Sequence, residues 1–161
     1  MALVTRTLSG FVRVDGKDAE DFGHDQFIHE ARNLSDPNGE EAGDRILLEN
    51  QDTLIPFVHD YRWGGECRVE VDMHAQLAPM GPPPGNEQNI QIWGQTRFYE
   101  GTSEDTTDLA DWKNFEFNVP RFRGGGHATT WEVPLVNHVA IGADDWANVS
   151  FSLKNLTTEG D

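Results

Sequence analysis

The residues with the types and spacing to do chemistry together lie in the middle of the chain. Glu70, Asp72 and His74 stand in one segment, and Gln91, Trp93, Gln95, Arg97 and Tyr99 in another, each set recurring at every second position. In an extended chain, successive side chains leave opposite faces, so such residues share one face. The other parity is largely apolar: Val69, Val71, Met73, Ala75 and Leu77, then Ile90, Ile92, Gly94, Thr96 and Phe98. Arg68–Leu77 and Ile90–Tyr99 therefore read as half-buried β-strands. The breaker run from Ala78 to Asn86, rich in Pro and Gly, joins them. Consecutive strands joined in this way pair as antiparallel neighbours, which would gather the polar set on one sheet face.

Several chemistries suit that face. Aromatic rings beside carboxylates, amides and a guanidinium fit a sugar, which stacks by its apolar side and hydrogen-bonds through its hydroxyls. The same residues can serve the sheet alone, with Arg97 pairing to Glu70 or Asp72 and Trp93 covering neighbouring stems. An enzyme would use His74 with Asp72 or Glu70 as an acid/base pair, or two carboxylates for glycoside hydrolysis, and would need an enclosed pocket. The chain contains no nucleophile elbow, phosphate loop, dinucleotide fingerprint or His-Glu-x-x-His motif.

Calcium is the cofactor that composition suggests, since it takes several oxygens from Asp, Asn and carbonyls on loops. Three segments qualify: Asp15, Asp18, Glu20 and Asp21; Glu104, Asp105, Asp108 and Asp111; and Asp144 with Asp145. None has the regular spacing of a calcium loop, and Asp favours turns for backbone reasons alone. His24 and His29 flank Asp25 and would hold a transition metal only if the segment bent suitably. His127 and His138 stand apart. The single cysteine, Cys67, excludes an intramolecular disulfide and a Cys-based zinc site, and reads as structural. Asn33, Asn148 and Asn155 begin glycosylation sequons, which matter only in a secreted eukaryotic chain.

The elements that must position these residues follow from patterning. Ala2–Val14 reads as one long strand or two short ones about Gly10, and Asp15–Asp25 as an acidic loop. The apolar spacing of Gln26–Leu34 suits a helical turn about as well as a strand, with a strand preferred, and a turn follows at Ser35–Gly39. Arg45–Asn50 and Thr53–Tyr61 are strand-like, with Pro56 placing the second at an edge. Arg62–Gly65 is expected to turn the chain into the central pair. Beyond it come an acidic loop, Gly101–Asp111, and a strand through Phe115, Phe117 and Val119 that Pro120 closes. A link with local positive charge, Arg121–His127, leads to an edge strand around Pro134 and a last strand over Ala147–Lys154.

About eight or nine strands at this spacing predict an all-β fold. The expected form is a single domain over 1–161, an antiparallel, jelly-roll-like β-sandwich with long acidic loops. The alternative is a closed antiparallel barrel with Glu70, Asp72, His74 and Arg97 lining its lumen. The 161 residues suffice for a core, and nine Phe and five Trp argue against disorder. A net charge of −16 with three Lys disfavours nucleic acid and anionic membranes as partners. No run is long enough to span a bilayer. The Met1–Val4 start lacks a basic segment before a long apolar run, so no secretory signal is read there. A surface or extracellular location with a leader outside this sequence remains compatible. The function these features predict is a non-catalytic recognition or assembly module. It would bind carbohydrate or a protein through the polar-aromatic face or the end loops. The alternatives are a homo-oligomeric subunit of a shell, tube or fibre, and a small-ligand barrel or enzyme.

Overall fold

The computed structural model describes residues 6–20, 23–34, 45–48, 53–54, 60–78, 89–103, 105–122, 126–138 and 142–157. Among the described residues ten strands form: β1 (Arg6–Asp18), β2 (Gln26–Asn33), β3 (Arg45–Leu48), β4 (Thr53–Leu54), β5 (Asp60–Trp63), β6 (Cys67–Leu77), β7 (Ile90–Glu100), β8 (Leu109–Val119), β9 (Thr129–Asn137) and β10 (Asp145–Leu156). Every strand pairing is antiparallel. They make two sheets, ordered β2-β1-β10-β9 and β4-β6-β7-β8. In each, a further short strand shares an edge position: β3 pairs β1 beyond the end of β2, and β5 pairs β6 beyond β4. Neither sheet closes on itself, so the barrel alternative falls and the fold is a β-sandwich.

The sheets meet through the apolar parity of each strand. Cys67, Val69, Val71, Met73 and Ala75 of β6 are completely buried, as are Ile90, Ile92 and Phe98 of β7. Across the interface the Phe151 ring of β10 lies 4.8 Å from Phe115 and 5.4 Å from Phe117 of β8. At the other flank the buried Tyr61 hydroxyl of β5 donates to the Val12 carbonyl of β1 at 3.1 Å.

Several boundaries differ from expectation. The expected acidic loop does not start at Asp15, because β1 runs unbroken through Gly10 to Asp18. The ends of the expected Thr53–Tyr61 strand form β4 and the start of β5, and residues 55–59 between them lie outside the described residues. Arg62 and Trp63 extend β5 instead of turning, and the turn falls on 64–66. There Gly64 (φ 69°) and Gly65 (φ 85°) take the left-handed backbone that other residues resist. Asp111 lies within β8 rather than in the preceding loop. The expected features at Ala2–Thr5, Ser35–Gly39, Pro56 and Pro79–Asn86 lie outside the described residues.

β9 sits at a sheet edge, as Pro134 predicts. Its outward backbone groups do not face water alone. The Val136 N–H donates to Asp111 Oδ2 at 3.0 Å, the Pro134 carbonyl accepts from Lys113 Nζ, and Pro134 has no N–H to offer. Side chains of β8 thus cap the edge that another strand would need. Replacing both Asp111 and Lys113 by Ala should make the chain self-associate with rising concentration. Sedimentation velocity would show this, and a variant as monodisperse as the parent would remove the capping role.

Candidate functional site

The register of β6 with β7 sets Glu70 opposite Arg97, Asp72 opposite Gln95, His74 opposite Trp93, Gln76 opposite Gln91 and Arg68 opposite Tyr99. β8 extends the rows with Trp112 beside Arg97, Asn114 beside Gln95 and Glu116 beside Trp93. All the residues expected to share a face therefore do so, on the outer surface of the β4-β6-β7-β8 sheet.

A charge network occupies one half of that face. Arg97 donates from Nε to Glu70 Oε2 at 3.1 Å, from one terminal nitrogen to Gln95 Oε1 at 3.1 Å, and from the other to Asp72. Glu70 also accepts from Arg68 at 2.6 Å and from the Tyr99 hydroxyl at 3.2 Å. The Arg68 guanidinium lies over the Tyr99 ring at 4.3 Å. Burial first, and then the Glu70 charge, raise the Tyr99 pKa, so its hydroxyl stays a donor. For Arg97, burial works against the charge, but the bonds to Asp72 and Glu70 prevail and its pKa is raised.

The other half is an open depression of about 740 Å³ lined by Asp72, His74, Trp93, Gln95, Arg97, Asn114 and Glu116. His74 stacks on Trp93, with centroids 5.3 Å apart and planes 13° from parallel. The amides are fixed: Gln95 Nε2 donates to Asn114 Oδ1 at 3.1 Å, and Gln91 Nε2 to Glu116 Oε1 at 2.7 Å. Gly94 is needed at the floor, because a Cβ there would stand 1.9 Å from the Asp72 carbonyl oxygen. Trp112, half exposed, stands at the Arg97 end. Sequence reasoning stopped short of Trp112 and Asn114. Their strand begins with Leu109-Ala110-Asp111, where a register irregularity opposite Phe98 and Tyr99 breaks the alternation.

The carboxylates considered for calcium scatter. Asp15 and Asp18 leave opposite faces of β1. Asp15 binds His29 Nδ1 at 2.6 Å and Arg13 at 2.7 Å, and Asp105 pairs with Arg62. The Asp108 N–H bonds Thr106 Oγ1 at 3.1 Å. Asp21 and Glu104 lie outside the described residues. Asp144 is held by His138 at 2.9 Å; Asp25 is held by Lys17 at 2.9 Å while His29 bonds Asp15, so Asp25 and His29 are engaged by different partners. Among the described residues, no three His, Cys, Asp or Glu side chains converge closely enough to hold a metal ion. The Asn155 sequon amide is fully buried, accepting from Arg6 at 2.6 Å and donating to the Val119 carbonyl at 3.0 Å.

One acidic group is placed at a cost. Asp18, only 4% exposed, ends β1 beside Asp145, Glu20, Glu66 and Glu100, and its Oδ2 has no hydrogen-bond partner. That oxygen lies against the turn glycine, since a Cβ on Gly64 would come within 1.9 Å of it. Burial, followed by the surrounding negative charges, pushes the Asp18 pKa up to about 6. Burial, then Asp145 and Glu66, raise Glu100 although Asn137 donates to it at 2.7 Å, and burial, then Asp18 and Asp145, raise the Cys67 thiol, which stays protonated.

With a folded pKa above the ordinary value of 3.8, the folded state holds the Asp18 proton more tightly than the unfolded chain does. The resulting stability is fully present below the ordinary pKa and is lost as pH rises through about 6. Asp18→Asn should therefore raise stability at pH 7.5 by on the order of 2 kcal/mol and flatten the slope between about pH 4 and 6. Denaturant unfolding across pH measures both, and parallel curves for the two proteins would show that Asp18 carries no such penalty. Comparison with family models, with curated proteins and with solved structures finds no match.

Proposed function

We propose that this chain is a non-catalytic recognition module that binds carbohydrate in the depression on the outer face of the β4-β6-β7-β8 sheet. The observation that carries the reading is an aromatic platform at one end of an open, polar floor. Trp93 is held in place by His74 at one end, and Arg97 with Trp112 marks the other. Trp93 and Arg97 stand four positions apart along β7, about 13 Å at the rise of an extended chain. Between them lie Asp72, Gln95 and Asn114, with Glu116 beside Trp93, and their carboxylates and amides suit sugar hydroxyls. Gln95 and Asn114 bond to each other, which lowers the ordering cost of binding.

Openness favours binding over catalysis. Acid/base work by Asp72, His74 or Glu116 would want a site from which water is excluded. A protein ligand is the second reading, favoured by Leu109 and Trp112, which stand half exposed on β8 opposite Tyr99 and Arg97. The assembly-subunit reading draws less support, because β8 side chains cap the backbone of β9.

On a glycan array, the parent chain should bind a set of related oligosaccharides. Trp93→Ala should weaken that binding by about tenfold or more, as loss of a stacking platform implies. A parent that binds no glycan would sink the reading. Full binding by Trp93→Ala would move the site elsewhere. Loss in Trp112→Ala of capture by a defined protein, with no glycan bound, would favour the second reading.

A further inference from the structure

The β2-β1-β10-β9 sheet has two edges of unlike build. At one, side chains of β8 cap the outward backbone of β9. At the other, β2 is the last strand of its sheet among the described residues. The Leu34 N–H donates to the Gly10 carbonyl at 3.2 Å, and this bond sets the phase of the β1–β2 ladder. In an antiparallel pair a residue turns its N–H and C=O to the same side, and the side alternates along the strand. Leu34, Arg32, Glu30 and Ile28 therefore bond toward β1, while Asn33, Ala31, His29 and Phe27 direct their backbone groups outward. All four of these are exposed, Phe27 to 56%. Between them, on the inward parity, stand Glu30 and Arg32. Arg32 Nε donates to Glu30 Oε1 at 2.7 Å, and the guanidinium lies 4.5 Å from the Tyr61 ring centroid.

We propose that β2 pairs antiparallel with β2 of a second copy of this chain, about a two-fold axis at Ala31. In that register Ala31 meets its own counterpart, and His29 meets Asn33 of the partner subunit. These pairs exchange the outward N–H and C=O groups. Glu30 falls opposite the partner's Arg32, and Arg32 opposite the partner's Glu30, at the positions where strands bring side chains closest. An axis at Glu30 or at Arg32 would set like charges against each other. Inward-pointing charges on an edge strand ordinarily turn other strands away. Here the order Glu30-Ala31-Arg32 is its own complement, so the strand that fits is a second copy. The contact is isologous and closes at two, because the far edge of the sheet is capped at β9. Replacing Asp111 and Lys113 would let growth continue beyond the dimer. A seam one strand wide is small, so the dimer depends on concentration. The carbohydrate reading plays no part in this argument.

The test follows the full chain by sedimentation velocity from micromolar to millimolar concentration at physiological ionic strength. The Debye length is then about 8 Å, which screens the repulsion between two chains of net charge −16. A monomer–dimer equilibrium is expected, with amide exchange at His29, Ala31 and Asn33 slowing as the dimer forms. Ala31→Pro removes an outward donor, spares the bonds to β1, and should weaken the dimer by about tenfold or more. Glu30→Arg and Arg32→Glu should each weaken it by about tenfold alone. An equimolar mixture of those two variants should recover the dimer, because opposite charges then face each other. Unchanged melting midpoints verify folding, and if Arg32→Glu lowers its midpoint, Ala31→Pro decides alone. Four results would each overturn the proposal. They are a parent that stays monomeric at millimolar concentration, these amides already protected at the lowest concentration, a parent-like dimer in Ala31→Pro, or a mixture of well-folded variants no stronger than either alone.

Discussion

The register between β6 and β7 is the constraint on which the rest of the molecule depends. Cys67, Val69, Val71, Met73, Ala75 and Leu77 all face inward, and the slip of a single residue would turn every one of them to water. Each large apolar side chain so exposed would forfeit roughly 1.5–3 kcal/mol. The ion pairs on the opposite face are worth far less, about 0–1 kcal/mol each when solvent reaches them. Packing therefore fixes the register, and the pairing of Glu70 with Arg97 follows from it. The polar face is a consequence of the core, with its geometry set by residues that never touch solvent.

The same strands give the sandwich an electrostatic direction. β10 starts at Asp145, beside Asp18, Glu66 and Glu100, and ends near Lys154, beside Arg121 and His127. The acidic end departs from what stability alone would select, since Asp18 is buried among like charges and has an oxygen without a partner. The opposite end gathers positive charge in a chain that has little of it. Both ends are made by residues far apart in sequence that strand order brings together.

Alternation made the central pair legible, because ten-residue runs leave no doubt about which parity is apolar. It failed where composition and structure disagree. Asp15-Gly16-Lys17-Asp18 has the composition of a loop, yet it is the end of β1, with Asp18 directed inward. Arg62 and Trp63 precede two glycines and read as a turn, yet Trp63 is buried and stacks on Phe98 at 5.8 Å. In β8, the irregularity opposite Phe98 and Tyr99 hid the strand's first half and with it Trp112 and Asn114. The depression needs three strands, and only two of them declared themselves fully in one dimension.

How the polar face is wired bears on what it can hold. Arg97 already donates to Glu70, Asp72 and Gln95, and Arg68 to Glu70 and the Thr106 carbonyl. Cations so engaged have little to offer an acidic ligand, which would also meet the carboxylates of Asp72 and Glu116. The floor retains lone pairs on those carboxylates, amide N–H groups on Asn114 and the Trp93 ring. That combination favours a neutral ligand with hydroxyls around an apolar face. It also makes the network on one side a brace for the platform on the other: removing Arg97 would leave Glu70 and Asp72 repelling each other two residues apart on one face of β6. The charges that look most chemical in the sequence are therefore the ones that stiffen the surface, and under the proposed carbohydrate reading the quieter amides and aromatic rings beside them would make the contacts.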